Sequence, residues 1–195
     1  MLDNIPSSKK IVPQHDGYTT IKPQHINKPI IGVIRNPWDW YVSLYHFHLP
    51  SKGSFMYPIV KEGGSFKGFL KLFLNKKKGR IHDLNFEWLS KRDVGPYTYR
   101  VIKCFNKNGL GVDDVDNCNF SGVDIIKMEN LVPNFINSLE SKNIYLPEES
   151  INKLKSKQKV NTSTHKDYRQ YYDDESIELV SKKDRLIIKR FNYEF

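Results

Sequence analysis

At 195 residues, with 38% hydrophobic, 27% charged and 13% aromatic side chains, the chain has the size and composition of one folded domain, which excludes a disordered or fibrous class. No apolar run reaches the roughly eighteen residues of a membrane span, and no signal-peptide pattern opens the sequence. A net charge of +9 favours anionic partners without choosing among nucleotides, nucleic acid, acidic sugars and membrane surfaces.

The first residues are polar. IPSSKK at 5–10 lacks the glycines and the preceding strand of a phosphate loop, and Pro13 interrupts any helix after it. Residues 12–28 are rich in proline, histidine and glutamine and read as loop, with one extended piece at 18–21.

The organising stretch is 29–47, PIIGVIRNPWDWYVSLYHF. Residues 30–34 form an apolar run with β-branched side chains at four of five positions, which predicts a parallel strand buried on both faces. Asn36 is placed to cap a helix, and Pro37 occupies its first position, where a missing N–H costs nothing. Trp38, Tyr41, Val42 and Tyr45 then recur with helical spacing. Arg35 stands where the strand ends, and Ser43 follows about two helical turns later. The carboxyl end of a parallel strand is where open α/β sheets bind ligands, and an arginine there can grip a phosphate with two hydrogen bonds. The same residues also allow a plain surface pair of Arg35 with Asp39, leaving Ser43 an ordinary helix residue.

His46 and His48 are two apart and point in different directions, so they do not share a metal. Residues 51–68, with four glycines, read as a long loop. Phe66, Phe69, Leu70 and Phe73 fit a helix that Lys76–Lys77–Lys78 and Gly79 terminate, and the lysine run reads either as a solvated face or as a contact for an anionic acceptor. Phe86, Trp88 and Leu89 are core or pocket wall, 97–105 is a helix, and 109–122 is a polar connection. VDIIKM at 123–128 predicts a second buried strand, followed by Glu129 in a structural role and a helix over 131–139 capped by Asn130. The chain is then helical and basic from 148 to 159. KVNTSTH at 159–165 is a polar loop, where Thr164 and Asp167 could form a capping box. Cys104 and Cys118 form no CxxC pair and read as structural thiols in a reduced compartment.

RNPWDWYVSLYHF resembles the 3′-phosphate-binding segment of the sulfotransferases that use 3′-phosphoadenosine 5′-phosphosulfate (PAPS), closest to the carbohydrate-type and the bacterial or viral branches. The final stretch 161–195, with YYD and FNYEF, is similar to the tail of the same branches. The resemblance implies one α/β domain over 1–195, a P-loop-like sulfotransferase fold with a parallel sheet flanked by helices. Within it lie an irregular segment 1–28, the strand–turn–helix 29–47 and a helical end 160–195. It implies PAPS as sulfuryl donor, transfer to a hydroxyl of a carbohydrate, and no metal. It assigns Arg35 and Ser43 to the 3′-phosphate, with Lys159, Asn161 and Ser163 beside the nucleotide, and His15 as catalytic base with His25 as the other candidate. No PKxGxxS/T-like donor loop is present, so the fold is expected to be incomplete at its N-terminus. A bacterial or viral member would be cytoplasmic. Two other readings stay open: a catalytically silent nucleotide- or glycan-binding remnant, and a basic nucleic-acid-binding protein, which no recognised motif supports.

Overall fold

The computed structural model describes residues 17–25, 27–51, 53–156 and 165–195. In chain order they form β1 (Ile30–Ile34), α1 (Pro37–His48), α2 (Tyr57–Gly63), α3 (Phe66–Asn75), the short strands β2 (Arg80–Ile81) and β3 (Leu84–Asn85), α4 (Phe86–Arg92) and α5 (Pro96–Phe105). After these come β4 (Val123–Lys127), α6 (Leu131–Glu140), α7 (Glu148–Ser156), α8 (Asp174–Lys183) and α9 (Arg185–Arg190). The architecture is mixed α/β, a small parallel sheet flanked by helices. None of the helices so described is long and apolar enough to cross a membrane.

β1 and β4 pair in parallel, from Ile30 opposite Val123 to Ile34 opposite Lys127. Parallel strands need a long crossover, and here α1 to α5 supply it. The side chains of a strand alternate between faces, so the pair separates two apolar clusters. Ile34 and Ile125 face the larger one, with Tyr41 and Val42 of α1, Phe69 and Phe73 of α3, Phe86, Ile102, Val180 and Ile187. Ile31 and Ile126 face the smaller one, with Phe135 and Leu139 of α6 and Leu154 of α7. A strand buried on both faces was expected at 30–34, and Val33 departs from it at 44% exposure. Gly32 has a steric reason to be glycine: a Cβ there would lie 2.8 Å from the Phe105 ring, which packs on the strand.

The larger core is knitted by rings. Tyr45, Phe69, Phe73 and Phe86 follow one another with centroids 5.3 to 5.9 Å apart, a spacing that suits edge-on and offset contacts. Asp184 lies inside it, fully buried, accepting from the Tyr41 hydroxyl at 2.7 Å and the Thr98 amide at 2.8 Å. One carboxylate therefore ties α1, α5 and the junction of α8 with α9.

Two expectations need correction. Residues 18–21 are not extended, because Tyr18–Thr20 is a 3-10 turn stabilised by the Thr20 amide and hydroxyl on the Gly17 carbonyl. The loop expected over 51–68 contains α2, which Gly64 closes at φ 66° before Ser65 caps α3. The glycines serve a tight helix–helix corner, since a Cβ on Gly68 would fall 2.0 Å from the Gly63 carbonyl oxygen.

Candidate functional site at the β1–α1 turn

Asn36 and Pro37 start α1 as their types demand. The Asn36 side chain accepts from the amides of Trp38 and Asp39 at 3.0 and 3.3 Å, and Pro37 sits at the first helical position. The Asn36 amide donates to Glu129 Oε1 at 2.6 Å, and the Tyr193 hydroxyl reaches Glu129 Oε2 at 3.4 Å. The helix N-terminus is thus satisfied by protein groups, with the acids Asp39 and Glu129 beside its positive dipole end. An anion at this turn would meet side chains rather than free helix amides.

Arg35 is held by its backbone. The Tyr97 hydroxyl accepts from the Arg35 amide at 2.6 Å and donates to the Arg35 carbonyl at 2.8 Å, fixing the peptides on both sides of the residue. Burial pushes the Tyr97 phenol far above its ordinary range, so it remains a neutral donor and acceptor. The guanidinium Nε of Arg35 bonds Asp39 Oδ2 at 2.6 Å, the pairing that the sequence left open as the alternative. This engages Nε; among the described residues the two terminal nitrogens meet no other acceptor, and their edge could take one. Ser43 stands one helical turn beyond Asp39, on the same face of α1, and His46 continues that face.

The C-terminal stretch comes back to this turn. Asn36 Nδ2 donates to the Glu194 carbonyl at 3.0 Å and lies 3.4 Å from the Tyr168 hydroxyl, while the Tyr172 hydroxyl donates to the Trp38 carbonyl at 2.9 Å. Phe195 packs edge-on against Trp38, Tyr168 and Tyr172. Residues 29–47 and the described part of 161–195, far apart in the chain, are therefore in contact.

His15, Lys159, Asn161 and Ser163 lie outside the described residues. His25 ends the 3-10 turn Pro23–His25, with its Nδ1 buried and without a partner among the described residues. His46 and His48 go to different neighbours: His46 packs on His165 and Tyr171, and His48 Nδ1 bonds the Ser54 hydroxyl. Glu129 has the structural role its position suggested. Tyr97 went unnoticed in the sequence; a tyrosine near a helix start carries no signal of which peptide its hydroxyl will reach. Two cavities, of about 290 and about 390 Å³, open beside the end of α3 and beside β4, and neither is lined by Arg35 or Ser43. Comparison with protein families, with curated proteins and with solved structures finds no match.

Proposed function

We propose that the chain binds the 3′-phosphate side of PAPS at the β1–α1 turn and serves a sulfuryl transfer to a hydroxyl, with a carbohydrate as acceptor. The observation that carries this reading is the position of Arg35: it follows directly on a parallel strand, its backbone is clamped by Tyr97, and its side chain pairs with Asp39. Supporting it are the sequence pattern RNPWDWYVSLYHF and the return of the FNYEF tail to the same turn.

In this reading the terminal nitrogens of Arg35 and the Ser43 hydroxyl hold the phosphate. The acceptor oxygen attacks sulfur, the bond from sulfur to the bridging phosphate oxygen breaks, and a base takes the hydroxyl proton, leaving adenosine 3′,5′-bisphosphate. His15 is the base the sequence offers. Asp39 competes with the phosphate for the guanidinium and also orients it.

Calorimetry with adenosine 3′,5′-bisphosphate tests the binding. Arg35→Ala should weaken it by at least about tenfold, the loss expected for charge-assisted hydrogen bonds. Unchanged affinity would refute the clamp. Asp39→Asn keeps an acceptor but removes the competing charge, and should tighten binding. Transfer is read separately, by incorporation of labelled sulfate into polysaccharide, with His15→Ala expected to abolish it.

A further inference from the structure

A second feature stands apart from the β1–α1 turn. The sequence from the end of α3 into the β2–β3 hairpin reads KKKGRIHD, residues 76–83. Lys77, Lys78 and Arg80 are exposed, and among the described residues none of them is in an ion pair. Lys76 lies over the Phe86 ring at 5.8 Å. The turn of the hairpin, with His82 at φ 51°, meets α5 through Asp83, which Arg100 and Lys103 approach to 3.4 and 3.2 Å and His82 Nδ1 to 3.0 Å. Six lysines and arginines thus stand with three carboxylates: Asp83, Glu87, which is occupied with the Gly79 amide at 3.0 Å, and Asp93, which shares a cavity with Lys76 and Lys77 and is paired with Lys183 at 2.6 Å.

At one end of the strip is an aromatic platform. Phe55 stacks on His82 with centroids 4.8 Å apart and planes 25° from parallel, and forms a T-shaped pair with His48 at 5.1 Å. Phe55 remains 45% exposed. A stacked pair of flat rings, each about half exposed, beside unpaired cations is the arrangement that receives a base and its neighbouring phosphates.

We propose that the hairpin strip and the Phe55–His82 stack bind single-stranded nucleic acid. One base adds to the open side of the stack, and the phosphates lie along Lys77, Lys78 and Arg80. A sulfated sugar, whose C–H face also packs on aromatic rings, is the competitor the test distinguishes, and interface cores between proteins are depleted of the lysines that dominate here. The site is independent of the β1–α1 turn.

Fluorescence anisotropy of the full chain with a labelled twelve-nucleotide oligo(dT), measured across 50 to 200 mM salt, tests the proposal. Affinity should fall steeply with salt. Phe55→Ala removes an exposed ring without touching the core, and should weaken binding by about tenfold with the salt slope unchanged, because stacking releases no counterions. The double variant Lys77→Gln, Lys78→Gln should lower the slope by about 1.4, two phosphate contacts' worth for a single strand. Absence of binding at 50 mM salt, or an affinity indifferent to Phe55→Ala, would overturn the proposal. So would displacement by a heparin hexasaccharide at lower concentration than by unlabelled oligonucleotide. Arg35→Ala should leave oligonucleotide affinity intact, so failure at one site is told apart from failure at the other.

Discussion

Asp184 is the residue whose chemistry most constrains the molecule. Burial raises its carboxyl pKa from 3.8 to about 6, against the opposing pull of the Tyr41 hydroxyl and the Thr98 amide. A folded pKa above the unfolded one means that its contribution is fully present below about pH 4 and is lost as pH rises through 6, a change of about 3 kcal/mol. Asp83 works in the other direction: burial would raise it, but His82, Arg100 and Lys103 outweigh that and hold it at about 2, so its contribution is lost as pH falls from about 4 towards 2. Urea midpoints should therefore rise from pH 2 to 4 and decline from about pH 4 to 6, and Asp184→Asn should flatten only the upper limb. A decline that survives in the variant would exclude Asp184 as its source. Single residues near the turn were legible where backbone chemistry names them, as with Asn36 and Pro37. Asp184 and Tyr97 were not, because each acts on partners more than fifty residues away.

Among the elements, those with strong periodicity or clear boundaries were legible. β1, α1, α3, α5, β4 and α6 fall within a few residues of the positions read from the sequence. The elements missed, α2, the hairpin and α4, are short and begin or end in glycine- and lysine-rich stretches whose composition resembles loop. Asn130 caps nothing with its side chain, since a 3-10 turn, Met128–Asn130, already leads into α6. The α1 cap gives an element-scale prediction. Asn36→Ala removes the acceptor of two amides and the donor to Glu194, and should cost about 1 to 2 kcal/mol in chemical denaturation. A second concerns the α2–α3 corner: Gly68→Ala forces its methyl onto the Gly63 carbonyl, and should lower the melting temperature by several degrees. An unaltered melt would mean the corner opens at little cost.

For the whole molecule, the β1–β4 pair sets apart two unequal clusters. The larger draws on nearly every helix, whereas the smaller rests on Ile126, Phe135, Leu139 and Leu154 with a few partly buried neighbours. α6 and α7 should accordingly exchange their amide hydrogens well before α3 and α5, and Leu154→Ala should widen that gap. Equal protection across the chain would show a single cooperative unit. The α/β class was legible because β1 is an apolar run and both parallel strands are rich in β-branched residues; their direct pairing was not, since register is decided by packing rather than by either strand alone.

The contact of Asn36 with the Glu194 carbonyl has a bearing on biosynthesis. A growing polypeptide emerging from the ribosome presents Arg35 early, yet the Glu194 carbonyl that braces the neighbouring Asn36 follows 158 residues later. Loss of Glu194 would therefore spare every helix and still leave the β1–α1 bend resting on Tyr97 and Glu129 without its third brace.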